Sequence, residues 1–516
     1  MRVTFSATMD AGTSRGPGEA ARRRTPESGW SSGGRQAAIR GLVVPAVLAT
    51  VLAAASPAAA EVALHALFTS GAVLQQGMKV PIYGTGVDGE SLTVRIQDFE
   101  ATTVVRDGRW RVEVGPLQPG GPFTMQVLGT RPITISNLLV GEVWICGGDA
   151  NMQWQVLNSV GSIASMTASE NAQLRLFTVR REGADEPRPD VAAFWAPAGA
   201  GSVGVFSAVG YYFGRELQRK LQIPVGLISC NHHEATTESF ISRAGFEAHP
   251  ELRARLAERP PKASEPATPT VLYNGMAHGI LSYGLRGVAW YGGENELDRA
   301  YQHRTTFAAL IADWRRVVGR PAMPFVFVQA APYGSGSFGG TGSRWAELRE
   351  SQLRVWQRTE HTGLAVVTEF GSRFELHPRE KPQVGVRLAS AALAVAYGEP
   401  VAYAGPVYRA HSIDGPRVRL EFDRIGSGLE APKSGLRGFT VAGADGVFKP
   451  AAGAIDGNSV VVSGKEVPEP RAVRYGWSDY PDVNLRNREG LPASPFRTDE
   501  YPLTTQPKPA ATAGKP

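Results

Sequence analysis

Leu139-Val140-Gly141-Glu142-Val143-Trp144-Ile145-Cys146, running into Gly147-Gly148-Asp149-Ala150-Asn151-Met152, is the stretch on which the fold turns. Its first part is a mostly apolar run without strict alternation, which suits a strand covered on both faces. The residues before it read differently. From 62 to 137 short strand signals recur, and Thr102–Val105 and Arg111–Val114 flank Asp107-Gly108, a hairpin turn signature. This segment reads as a small β-sandwich with no chemistry of its own.

Downstream of Leu138, strands and helices alternate. Ala208 to Leu221 carries an apolar stripe of Val209, Tyr212, Phe213, Leu217 and Leu221, and Ile223 to Ser229 follows as a strand. Gly287 to Tyr291 is the next strand. A helix with Phe307, Leu310, Ile311, Trp314 and Val318 on one face then ends at Gly319. Phe325–Gln329 and Leu364–Thr368 are further short strands, with a helix from Trp345 to Trp356 between them. Such alternation implies a parallel sheet with helices on both faces, from 138 to 400. In that architecture ligands bind beyond the carboxyl ends of the strands. Short β segments return from 401 to 500, and 501–516 is a Pro/Ala/Lys tail expected to be disordered. The loop Gly334 to Gly342 is rich in glycine, but no Lys-Ser/Thr follows it, so it is not read as a phosphate cradle.

The chain has 516 residues, 42% hydrophobic and 9% aromatic, as a globular protein of several domains does. Its net charge of +6 is misleading. Residues 1–60 carry seven Arg against Asp10, Glu19 and Glu27, so +4 lies there and only +2 in the rest. A nucleic-acid partner therefore has no electrostatic support. The same sixty residues read as an export signal: a basic stretch to Arg40, an apolar run from Gly41 to Ala55, then Ser56-Pro57-Ala58-Ala59-Ala60. Cleavage near Ala60 is expected, placing the mature chain in the periplasm or outside the cell, with no membrane span in it. Cys146 and Cys230 leave two readings open, a single bridge or two buried thiols, of which the second is favoured.

The strand ends resemble those of the sialate O-acetylesterase family of SGNH-type hydrolases. The resemblance rests on Val73-Leu74-Gln75-Gln76, Gly141-Glu142-Val143-Trp144-Ile145-Cys146, Tyr273-Asn274-Gly275-Met276, Trp345-Ala346-Glu347-Leu348-Arg349-Glu350, His377-Pro378 and Gly490-Leu491-Pro492-Ala493-Ser494-Pro495-Phe496-Arg497-Thr498-Asp499. It implies an SGNH-type, flavodoxin-like parallel sheet flanked by N- and C-terminal β-rich domains. It also implies a carbohydrate O-acetylesterase, a hydrolase that uses no cofactor.

At the reacting positions the chain departs from the family. Where the family carries Gly-Gln-Ser-Asn-Met, with the serine as nucleophile, this chain has Gly148-Asp149-Ala150-Asn151-Met152. The methyl of Ala150 cannot form an acyl-enzyme, and loss of such a nucleophile removes roughly a millionfold in turnover. His232-His233-Glu234-Ala235 replaces Trp-Gly-Gly-Thr, and Gly292 replaces the glutamine of Trp-Tyr-Gln-Gly-Glu. Both changes touch oxyanion donors, each worth on the order of a hundred- to a thousandfold. His377 keeps the general-base position, with Glu375 as the expected orienting carboxylate.

The candidate site is therefore His377 and Glu375 as relics, with Asp149, Asn151, His232, His233, Glu234, Gly292 and Glu294 around them. The expected function is that of a degenerate esterase, still able to bind a carbohydrate. The alternatives are an active esterase with a rebuilt site and a non-catalytic partner-binding or structural exported protein. Gathered His and carboxylate groups raise the question of a metal, but adjacent histidines usually diverge, and no metal is expected. Ser229 and Cys230 are weighed as replacement nucleophiles and set aside, because both fall within a strand. The clustered carboxylates predict a negative pocket that keeps His377 charged and turns away acidic sugars.

Overall fold

The computed structural model describes residues 61–334 and 342–508. The expected export segment and residues 509–516 of the tail lie outside the described residues, as does most of the glycine-rich loop.

One strand, β1 (Ile133–Gly148), organises the molecule. Its burial alternates up to Asn137 and is continuous from Leu138, the residue at which the sequence changes character. The first part pairs antiparallel with Gly120–Leu128, in register Val127↔Ile133 and Phe123↔Leu138. The second part lies at the centre of the main sheet. The expected domain boundary at 137/138 thus falls inside a single strand, not in a linker.

The main sheet adds β2 (Asn171–Thr178), β3 (Trp195–Ala198), β4 (Val225–Asn231), β5 (Gly287–Tyr291), β6 (Phe325–Val328) and β7 (Thr362–Ala365). Their order is β3-β2-β4-β1-β5-β6-β7. Every neighbouring pair is parallel except β3 on β2, so the sheet is mixed, with one antiparallel edge. β2 and β3 escape a periodicity reading because β2 opens on polar, partly exposed residues and β3 is only four residues long, Trp-Ala-Pro-Ala. Helices cover both faces. Trp144 packs on Phe213 and Tyr397, and Trp290 packs on Phe240, Phe307 and Trp314. The register Gly287↔Trp144 and Trp290↔Gly147 puts these two indoles on opposite sides of the sheet.

The same alternation settles the cysteines. Ser229 pairs with Cys146 and Cys230 with Gly147, so the two thiols point to opposite faces and both are free and buried.

In the N-terminal region Asp107 and Gly108 have φ of 52° and 70°, as a tight hairpin turn of this type requires. The hairpin stops at the Arg106↔Arg109 bridge. Phe99–Val104 then pairs with Ser91–Ile96, while Arg109–Val114 joins Val80–Thr85 in another sheet. The C-terminal region is a seven-stranded antiparallel sheet beginning at Val407–Asp414. Leu503 packs on Ala346 and Trp477, and Thr505 is hydrogen-bonded to Glu347, so the chain stays packed beyond residue 501.

Candidate active site

β1 ends at Gly148, with φ of 139°; a Cβ there would lie 1.9 Å from the Tyr291 carbonyl oxygen. Only glycine allows both the backbone angle and this approach to β5. Asp149 follows and caps the one-turn helix α1 (Ala150–Gln153), its Oδ1 accepting from the Asn151 N–H at 3.2 Å. Its Oδ2 accepts from the Gly293 N–H at 3.1 Å. A Cβ on residue 292 would sit 3.1 Å from the Asp149 nitrogen and 3.3 Å from its Cγ. The bare backbone at Gly292 thus leaves room for this carboxylate.

Asn151 joins the group to two more elements. Its Nδ2 donates to Glu294 Oε1 at 2.9 Å, and its Oδ1 accepts from Lys381 Nζ. Lys381 opens helix α2 (Lys381–Tyr397) and is wholly buried. Its ammonium lies over the rings of Tyr291, at 5.2 Å, and Trp154, at 5.8 Å. Glu294 Oε2 is buried without a donor. It lies within reach of the Asp149 carboxyl. Burial first, and the Glu294 carboxylate second, hold Asp149 well above the usual carboxylate range. Burial likewise pushes Lys381 down to about 7, against the pull of Glu294 and Asp149.

His377 lies beyond β7, its ring 5.6 Å from that of Trp154. It opens on a cleft of about 470 Å³ shared with Trp154, Leu157, Asn158, Glu375 and Arg379. Its pKa is lowered, by burial first and then by Lys381, with Glu294 opposing. The expectation of a charged imidazole in a negative pocket is therefore corrected: Lys381 was not counted in it. Glu375 is exposed, and among the described residues no hydrogen bond joins it to His377. Nor is any hydroxyl or thiol hydrogen-bonded to His377 there. Ser229 is buried in β4 and accepts from Asn231. Burial drives the Cys230 thiol strongly upward, leaving it protonated.

The structure brings Asp149, Asn151, Gly292 and Glu294 together, keeps His377 beside them across Trp154, and leaves Glu375, His233 and Glu234 exposed. The rings of His232 and His233 stack at 4.9 Å instead of diverging. His232 is buried, and its Nδ1 accepts from the Glu234 N–H. His233 and Glu234 project outward, so Glu234 does not face the cleft. Among the described residues no group of three or more His, Cys, Asp or Glu is disposed to hold a metal ion.

Residues 140–394 match the family model described as carbohydrate esterase, sialic acid-specific acetylesterase. The chain is 30% identical to sialate O-acetylesterase from Rattus norvegicus over 393 residues, 63% of this chain and 72% of the relative. It is 28% identical to the Homo sapiens sialate O-acetylesterase over 410 residues, 71% of this chain and 77% of that one. A carbohydrate acetylesterase structure from Xanthomonas citri superposes with a TM-score of 0.80 at 36% identity, covering 85% of this chain and 100% of the other.

The chain belongs to the sialic acid-specific acetylesterase family.

Several motifs that carry the acetylesterase resemblance do structural work in this chain. Glu142 is buried and accepts from Gln75, Gln76, Arg286 and Tyr397, tying the N-terminal region to β1. A Cβ on Gly275 would meet the Glu182 carbonyl oxygen at 2.1 Å, and Asn274 donates to the carbonyls of Ala184 and Asp185. Lys381 is the residue that sequence reasoning missed. Pro382 marks a helix start there, but nothing local shows that the lysine before it turns inward.

Proposed function

We propose that this protein is an exported member of the acetylesterase family that has lost ester hydrolysis and retains a carbohydrate-binding site at the carboxyl end of an SGNH-type, flavodoxin-like sheet. One observation carries the reading. Ala150 stands at the position the resemblance assigns to the nucleophile, and the groups around it form a closed network of Asp149, Asn151, Glu294 and Lys381. Asn151 gives its amide to Glu294 and takes Lys381 on its oxygen, and Asp149 accepts from the Gly293 N–H, so these groups are turned toward one another and away from a developing oxyanion. The absence of any hydroxyl or thiol on His377, among the described residues, agrees with this. The N-terminal sequence supports export, and among the described residues no helix is long and apolar enough to cross a membrane.

A second reading has one observation in its favour. An uncharged His377 facing an open cleft is the form of imidazole that activates water, as an esterase with a rebuilt site requires. A fluorophosphonate probe, which reacts with activated serines, tests the loss of the nucleophile. The intact mass of the full chain is expected to stay unchanged after incubation, and a stoichiometric adduct on any residue overturns the proposal.

A further inference from the structure

We infer that the His377 cleft and a second cleft beside Glu294 form one two-site groove for an uncharged oligosaccharide chain. This deepens, and rests on, the carbohydrate-binding reading above.

The second cleft has a volume of about 580 Å³ and lies beyond the ends of β5 and β6. Its walls include Glu294, Asn295, Asp298, Arg344, Trp345 and Asp479. Each cleft falls within the roughly 300–1,000 Å³ typical of small-ligand sites. One side chain, Leu376, connects the surroundings of both. Leu376 lines the His377 cleft and also packs against the apolar cluster of Trp345 and Leu348 behind the second cleft. A ligand that spans both meets this apolar side chain, which suits the C–H face of a sugar ring between two hydrogen-bonding stations.

The charge of the second cleft selects among sugars. Asp298 and Asp479 share one lining cation, Arg344, whose guanidinium is ion-paired to Asp298. Asp479 accepts from the Ser343 hydroxyl at 2.5 Å with one oxygen, leaving the other for a ligand. Carboxylates only accept hydrogen bonds when ionised, and sugar hydroxyls supply donors for them. A carboxylate-bearing sugar placed there meets like charge instead. The lining therefore favours a neutral chain over a terminal acidic residue.

Calorimetric titration of the full chain with glucose through cellohexaose, xylose through xylohexaose, and free sialic acid tests the inference. Affinity is expected to rise at least tenfold from monosaccharide to tetrasaccharide in one of the two series. Asp298 is exposed, so Asp298→Trp fills the second cleft at little cost to folding, and it should abolish the rise. Asp298→Arg serves as a second blocking variant, and unchanged melting temperatures show that both are folded. Binding without length dependence, a rise that survives both substitutions, or sialic acid binding more tightly than glucose overturns the two-site groove alone. Failure of every sugar to bind overturns the carbohydrate-binding reading and this inference with it.

Discussion

Asp149 is a buried carboxyl in contact with the Glu294 carboxyl, and the proton it retains makes its stability contribution pH-dependent. Asp149 is held above the ordinary aspartate value of 3.8, so above that pH the folded chain keeps a proton that the unfolded chain releases. Stability from this group is present below the unfolded value and declines as pH rises through the folded one. Glu294→Gln removes the need for the proton. The amide oxygen still accepts from Asn151, and the amide nitrogen donates to Asp149. Relative to the parent, this variant should gain about 1–3 kcal/mol between pH 4 and pH 6.5, read from denaturant melts. The window stops there because Lys381, lowered to about 7, adds a term of opposite slope above it. Parallel stability curves for the two proteins would contradict the proton retained on Asp149. At this scale the sequence was half legible. Ala150 and Gly292 stand out because each lacks the side-chain atoms that the resemblance assigns to its position. Lys381 does not, because its role arises only when helix α2 is docked under Asn151.

Helices and strands carry the family motifs that chemistry leaves unexplained. Helix Arg344–Arg358 holds the C-terminal sheet through three adjacent contacts. Glu347 accepts from the Thr504 and Thr505 backbone, Arg349 donates to the Ser478 carbonyl, and Glu350 pairs with Arg304 and Arg497. Arg497 and Glu350 are both buried, so Glu350→Gln leaves Arg304 and Arg497 with a weaker partner. A loss of about 3 kcal/mol is expected, with faster proteolytic cleavage between 398 and 406 as the C-terminal sheet loosens. A variant that melts and resists protease like the parent would show that the strap is not needed. The elements themselves were largely readable. Ala208–Leu221 and Gly287–Tyr291 have the bounds their apolar patterns predict. The last sheet strand lies at Thr362–Ala365, earlier than Leu364–Thr368, because the valines that extend the apolar run continue past the ladder. The Asp107-Gly108 turn is correct locally, yet its two strands part into different sheets, a choice made by packing beyond the turn.

Across the whole molecule, the alternation of strand and helix made the mixed α/β core and the β-rich C-terminal region legible, and family membership followed from motifs spread from Val73 to Asp499. What the sequence could not reveal was the charge balance at the strand ends. A count of nearby acids gave a negative pocket, but two of them, Glu234 and Glu375, turn outward, while Lys381 turns in. The central claim is the proposal that the scaffold is kept while the reacting atoms are replaced. Its most direct measurement is acetate release by the full chain from 4-nitrophenyl acetate and from acetylated xylo-oligosaccharides, beside a His377→Ala variant. Removing the nucleophile of such a site forfeits roughly a millionfold, so the two proteins should release acetate at the same rate, with no saturation by substrate. A parent rate that saturates and exceeds that of His377→Ala tenfold or more would contradict the account.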